Sequence, residues 1–241
     1  MKAIILAAGR GSRMGNKTET LPKCLTKLWG KTLLEWQLKA IREAGINEIA
    51  IVTGYHSEQI KEVGTKYFHN AEWEVTNMFV SLTKAQEWLE NDECIVSYSD
   101  VFYDKDAILS LIKVDTDIAI TSYTDFLPLW EKRFKNPLDD IETFKMNSDY
   151  ELIEIGNKAN SLAEIEGQYM GLLKFTPKGW QSILDKIKNY KLKPIAKLDI
   201  TSMLSYMIAN DVQVKVCPYS GVWLEVDNQK DLSLYENMKK I

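Results

Sequence analysis

The side chains best suited to do chemistry are a group of cations near the N-terminus and two carboxylates much further along. The stretch Ala3-Ile4-Ile5-Leu6-Ala7-Ala8-Gly9-Arg10-Gly11-Ser12-Arg13-Met14 carries Arg10 and Arg13, and Lys23 follows nine residues later. A guanidinium matches phosphate oxygens two at a time, and an ammonium adds a point charge. Ala7 and Ala8 are small, and Gly9 and Gly11 have no Cβ. A backbone built this way turns sharply and brings its N–H groups up to a phosphate. Leu6, Ala7, Ala8, Gly9, Arg10, Gly11 and Ser12 therefore read as a phosphate loop, with Arg13 and Lys23 as its cations. The carboxylates are Asp100, after Glu93–Tyr98 and Ser99, and Asp227, after Trp223-Leu224-Glu225-Val226. Each stands just past a predicted strand, at the edge where open α/β sheets bind ligands. Each also fits a plainer role as a turn or helix cap.

Other chemistries fit less well. The P-loop pattern G-x-x-x-x-G-K-[ST] is absent. A dinucleotide fingerprint needs a glycine where Met14 stands and an acidic residue ending the second strand, which instead ends in Thr53-Gly54. The two histidines, His56 and His69, sit in no nucleophile motif. Phosphoryl transfer asks for none. Its catalysis is positioning and charge neutralisation by the protein.

Alternating elements position these groups. Ala3–Leu6 is an unbroken apolar run, as in a strand buried on both faces. Thr32-Leu33-Leu34-Glu35 is a capping box opening a helix with Leu34, Leu38 and Ile41, closed by Gly45. Glu48–Thr53 is a strand, a helix through Ile60 and Val63 follows, and Trp73–Val75 is a short strand. Met78, Leu82, Ala85 and Leu89 form a helical stripe; Glu93–Tyr98 is a strand; Asp104 caps a helix; Asp117–Thr121 is a strand. Residues 122–140 show no clear period. Glu142–Met146 and Glu151–Ile155 flank Asn147-Ser148-Asp149 as a hairpin. Gly167–Phe175, Gln213–Pro218 and Val222–Val226 are strands. Thr176-Pro177, Asp199 or Thr201, and Asn228 open helices. The expected fold is α/β, a three-layer, mostly parallel sheet with helices on both faces and a small hairpin arm. It forms one domain over 1–241, whose second half (122–241) extends the sheet of the first (1–121).

The net charge of −4 and pI near 5.4 speak against a nucleic-acid surface, and no apolar run reaches the length of a membrane span. Cys24, Cys94 and Cys217 are odd in number and lack metal spacing, so they read as reduced thiols in a cytoplasmic protein. The apolar residues of 122–140 suit a pocket wall or a homodimer interface.

The pattern G-x-G-x-R-M from Gly9 to Met14, after a buried strand and before Pro22-Lys23, resembles the nucleotidyltransferase family that couples a nucleoside triphosphate to a phosphorylated small molecule. Where that family usually carries Pro-Leu-Thr after the arginine, this chain has Gly15-Asn16-Lys17-Thr18. Thr76-Asn77-Met78, Trp130–Thr143, Ile155–Asn160 and Glu164–Leu172 are similar to the cytidylyltransferases of small polar head groups within it. Those enzymes act on phosphocholine, 2-aminoethylphosphonate or phosphoglutamine. The resemblance covers nearly the whole chain and implies the nucleotide-diphospho-sugar transferase fold. It implies that CTP is the nucleotide, that Arg13 and Lys23 bind phosphate oxygens beside Asp100, and that Asp100 and Asp227 hold Mg²⁺. It implies base contacts at Gly54 and Tyr55, and that the first half (1–121) binds the nucleotide and the second (122–241) the acceptor. The remaining nucleotide contacts are expected from Thr76, Asn77, Met78 and Ser99. On the acceptor side, Arg133, Lys132 and Lys158 suit a phosphate or carboxylate. Glu166 and Glu225 suit an amine, Trp130 or Trp223 a cation, and Gln168 the pocket lining. The expected product is a CDP-activated molecule for decorating a surface polysaccharide or phosphonate. A sugar-1-phosphate nucleotidyltransferase is the nearest alternative, and a non-catalytic nucleotide sensor the next.

Overall fold

A computed structural model describes residues 1–60 and 63–238. The N-terminal part contains β1 (Lys2–Ala7), β2 (Lys27–Leu28), β3 (Lys31–Thr32), α1 (Leu33–Glu43), β4 (Ile49–Thr53) and β5 (Lys66–His69). It continues through α2 (Met78–Thr83), α3 (Gln86–Leu89), β6 (Cys94–Tyr98), β7 (Val101–Tyr103), α4 (Lys105–Ile112) and β8 (Ile118–Tyr123). The rest is α5 (Phe126–Arg133), β9 (Glu142–Met146), β10 (Leu152–Lys158), β11 (Gln168–Phe175), α6 (Pro177–Ile187), α7 (Ile200–Ile208), β12 (Lys215–Tyr219), β13 (Trp223–Glu225) and α8 (Gln229–Glu236).

The central sheet runs β12-β8-β11-β6-β1-β4-β5. β11 lies antiparallel to both β6 and β8, and the other neighbours are parallel. Strand β1 shows why three layers form. Ala3, Ile5 and Ala7 pack on one face with Leu34, Leu38, Ile108 and Leu232. Ile4, Leu6 and Ala8 pack on the other with Phe79, Leu82, Trp180 and Met203. An uninterrupted apolar strand has no face that tolerates water, so both must be covered. Among the described residues no helix is long and apolar enough to cross a membrane.

Most helix starts are set locally. Thr32 and Glu35 form the expected capping box, Asp104 accepts from the N–H groups of Asp106 and Ala107, and Thr176 accepts from that of Gly179. Asp199 caps α7 through Ser202 N–H, and Asn228 with Asp231 forms a second capping box on α8.

Several expectations are corrected. Residues 71–75 are turns, not a strand. The buried Asn70 side chain fixes them by donating to Thr76 and Ser81 and accepting from Glu72 N–H. The edge strand is β5, which borders β4. The helix expected through Ile60 and Val63 has its middle residues, 61 and 62, outside the described set. Residues 126–133 are helical despite Pro128, which sits in the first turn of α5 where no N–H partner is needed, while Phe126, Leu129 and Trp130 are buried. β12 extends the main sheet, but β13 does not. It pairs antiparallel with β7 in a separate two-stranded ladder.

Candidate active site

The glycine loop leaves β1 at the C-terminal end of the parallel strands and coils into helical turns over Ser12–Thr18. Gly11 opens them at φ 68°, and a Cβ there would lie 2.6–2.9 Å from the Lys23 side chain. Glycine is thus required twice over, for the left-handed backbone and for the close approach of Lys23. A Cβ on Gly9 would meet nothing within 4 Å, so the loop is open where a phosphate would sit. Tyr55 O–H donates to the carbonyls of Thr18 and Glu19, and Tyr55 N–H donates to that of Ala8. Tyr55 therefore braces the far side of the loop, where Gly15-Asn16-Lys17-Thr18 departs from the family pattern. The Arg10 guanidinium lies 5.9 Å from its ring centroid.

The loop brings the two distant carboxylates onto its lysine. Lys23 Nζ stands 2.7 Å from Asp100 Oδ2 and 3.2 Å from Asp227 Oδ1, and Arg13 reaches the same Asp227 oxygen at 2.6 Å. Burial disfavours the Lys23 charge, yet Asp100 and Asp227 outweigh it and raise its pKa. Burial likewise opposes ionisation of Asp227, but Lys23, Arg13 and Arg133 hold its carboxyl below the usual range. Burial and the Asp227 charge push Glu225 up, against the pull of Arg133. Asp100 Oδ1 is buried and has no hydrogen-bond partner.

Two cavities meet at this centre. One of about 250 Å³ is lined by Leu6, Ala8, Gly9, Gly11, Ser12, Arg13, Lys23, Met78, Ser81, Tyr98, Ser99 and Asp100. The other, about 310 Å³, shares Arg13, Met78, Tyr98 and Asp100 and is walled by Trp130, Asp140, Glu142, Gln168, Tyr169, Asp199, Glu225 and Asp227. Gln168 and Tyr169 reach it because β11 runs opposite to its neighbours, which puts the start of that strand at the ligand edge.

Other expected site residues have different surroundings. Ala7 is buried between β4 and β6, one residue before the loop opens. Thr76 and Asn77 line neither cavity. Thr76 is tied to Asn70 and Glu72, and Asn77 caps α2 through Met78 N–H. Gly54 packs its backbone against Ala8 and Trp73. Arg133 lines neither cavity. Its side chain is fully buried, with Nε and Nη2 on Asp231 at 3.0 and 3.2 Å, Nη2 also 3.1 Å from Asp227, and Nη1 3.3 Å from Glu225. Trp223 lies behind Trp130, stacked at 5.8 Å, and donates to the Met170 carbonyl. Trp130 takes the wall position. Lys132, Lys158 and Glu166 also line neither cavity, and the Glu166 carboxylate accepts from Met146 N–H. Sequence reasoning missed Tyr98, Asp140, Glu142, Tyr169 and Asp199. Of these, the sequence marks Asp199, as a helix cap.

Sequence and structure comparisons agree with this architecture. The MobA-like NTP transferase domain model matches residues 3–149. A CTP:phosphoglutamine cytidylyltransferase of Campylobacter jejuni is 36% identical, over 97% of this chain and 98% of that protein. A choline-phosphate cytidylyltransferase of Streptococcus pneumoniae is 40% identical over 39% of this chain and 43% of that protein. Among solved structures, an inositol-1-phosphate CTP transferase from T. maritima superposes with a TM-score of 0.77 at 17% identity, covering 99% of this chain and 96% of that one. The fold is that of the nucleotidyltransferases, and the chain belongs to the MobA-like NTP transferase family.

Proposed function

We propose that the protein is a cytidylyltransferase that joins CTP to a small phosphorylated or phosphonate molecule bearing an amine, releasing pyrophosphate. The observation that carries this reading is the reaction centre itself. Lys23, Arg13, Asp100 and Asp227 stand where a loop-lined cavity and an acidic cavity meet. The triphosphate lies along the glycine loop, with Arg13 and Lys23 on its oxygens. The acceptor enters from the side of Trp130 and Gln168, so that its anionic oxygen faces the α-phosphorus. The protein orients the two and neutralises charge, and no side chain acts as nucleophile.

The donor set suits Mg²⁺. Asp100 and Asp227 converge on one cation position, and Asp100 keeps a buried unpartnered oxygen. Among the described residues no group of three or more metal-binding side chains exists, so nucleotide oxygens and water would complete the ion's shell. When bound, Mg²⁺ supplies charge neutralisation on the triphosphate.

The acceptor cavity argues for the amine. Asp140, Glu142, Asp199 and Glu225 line it beside the two aspartates, and among the described residues Arg13 is the one cation that lines it. A purely anionic acceptor would meet the charges of Asp199 and Asp227 there, and burial, which pushes Asp140, Glu142 and Glu225 up, favours a cationic partner beside them. Phosphoglutamine, named in the 36% identical relative, is an amino acid, which supports the same chemistry. CTP is abundant in the cytoplasm, and the three cysteines are all free and buried, which suits that compartment. An activated head group of this kind would serve surface polysaccharide or phosphonate decoration.

The test is pyrophosphate release with Mg²⁺, each nucleoside triphosphate, and phosphoglutamine, phosphocholine, 2-aminoethylphosphonate or glucose-1-phosphate. Release with CTP and an amine-bearing acceptor, lost in Asp100→Ala, is the expected result. Release with glucose-1-phosphate alone would overturn the acceptor reading.

A further inference from the structure

We propose that Gln37 is a positioning residue that fixes the backbone carrying Asp100; the inference rests on the reading of Asp100 as part of the reaction centre. Gln37 occupies the buried face of α1, where Leu33, Leu34, Leu38 and Ile41 are apolar, and it is itself 0% exposed. An amide in that place is costly unless it is fully hydrogen-bonded. Its nitrogen donates to the carbonyls of Tyr98 at 2.9 Å and Val101 at 2.6 Å. Carbonyls only accept, so the amide must present its nitrogen to both, and the orientation is unambiguous. The Oε1 atom is left buried with no partner. The amide is thus held for its two donated bonds, at the expense of its acceptor.

Those two carbonyls flank Ser99-Asp100, the corner between β6 and β7. A second chain of bonds converges there: Tyr103 O–H donates to Ser97 Oγ at 2.8 Å, and Ser97 O–H donates to the Tyr98 carbonyl at 2.8 Å. On the other side, Val226 N–H donates to the Asp100 carbonyl at 2.9 Å. With Gln37 removed, the Tyr98 carbonyl keeps the Ser97 bond, whereas the Val101 carbonyl loses the side-chain donor that reaches it. The corner then loosens beneath Asp100 while the remainder of α1 stays packed.

The experiment compares the wild type with Gln37→Met, which keeps length and apolarity but has no donor, and Ile41→Ala, an apolar loss on the same helix face. Each is melted thermally, titrated with Mn²⁺ in the presence of CTP by electron paramagnetic resonance, and assayed for the Mg²⁺ concentration giving half-maximal pyrophosphate release. Gln37→Met is expected to weaken Mn²⁺ binding by about tenfold or more, the scale seen when residues orienting metal-binding groups are removed. Ile41→Ala should lose at least as much thermal stability yet keep Mn²⁺ affinity within about twofold. Equal effects of the two variants on Mn²⁺ binding, or none from Gln37→Met, would overturn the inference. A wild type that binds Mn²⁺ and CTP but releases no pyrophosphate counts against the proposed reaction, and the titration still decides on Gln37. A wild type that binds neither overturns both.

Discussion

Arg133 separates a structural role from a substrate role by a clear measurement. Its side chain is 0% exposed and faces Asp231, 2% exposed, and Asp227, 5% exposed. In Arg133→Met, Asp227 keeps Lys23 and Arg13, and Asp231 keeps the N–H groups of Asp227 and Asn228, but the buried Asp231 charge has no cation. Removing one partner of a buried pair costs about 3–5 kcal/mol. Against a total of about 5–15 kcal/mol that is a large fraction. At about 2–4 °C per kcal/mol for a chain of this size, the melting temperature should fall by roughly 6–20 °C. Urea unfolding at neutral pH and thermal melts give both numbers. The double variant Arg133→Met/Asp231→Asn removes the stranded charge, keeps an oxygen for the capping box, and should recover about half of the loss. Stability within about 1 kcal/mol of the wild type, together with a raised acceptor KM, would refute the reasoning and return Arg133 to the acceptor.

Two further predictions concern the loop and the cavity wall. Gly11→Ala places a Cβ 2.6–2.9 Å from the Lys23 chain at φ 68°, so Lys23 must move; kcat/KM should fall about a hundredfold in steady-state assays, and urea unfolding should show about 1–3 kcal/mol of strain. Burial opposes ionisation of Asp199, but Lys193 and the Ser202 N–H and hydroxyl prevail and lower its pKa. The stability it adds is therefore present above the ordinary aspartate pKa of about 3.9 and lost as the pH falls through the lower folded value. Asp199→Asn keeps the cap oxygen and removes the titration, so its deficit in urea unfolding at about pH 6 should shrink at about pH 3.

What the sequence reveals tracks how local each cause is. The glycine turn after β1 was legible because Gly9 and Gly11 act within a few residues of a buried strand. Caps at Thr32, Asp104, Thr176 and Asn228 were legible because the donor and acceptor are neighbours in the chain. Helix α5 was not, since its burial of Phe126, Leu129 and Trp130 against the rest of the fold, rather than a clean period, holds it. The direction of β11 leaves no mark in composition, so Tyr169 at its start could not be placed in the cavity. Arg133 and Trp223 carried the right chemistry for a ligand and were taken by the protein itself. Residue type reports what a side chain can bind; only the fold decides which partner is nearest.

The ladder between β7 and β13 ties function to the order in which the chain is made. Val101 pairs with Glu225 and Tyr103 with Trp223, so strands more than a hundred residues apart in the chain lie side by side. Asp100 precedes one strand and Asp227 follows the other, and the Val226 N–H bond to the Asp100 carbonyl closes the join. Such non-local pairings form late in folding, after the intervening chain has been organised. A chain halted before Trp223 would present the glycine loop, Lys23 and Asp100, but not the second carboxylate. On the proposed reaction, chemistry waits for the last strand, and an incompletely synthesised or nicked chain carries the glycine loop without the carboxylate that Arg13 and Lys23 both reach.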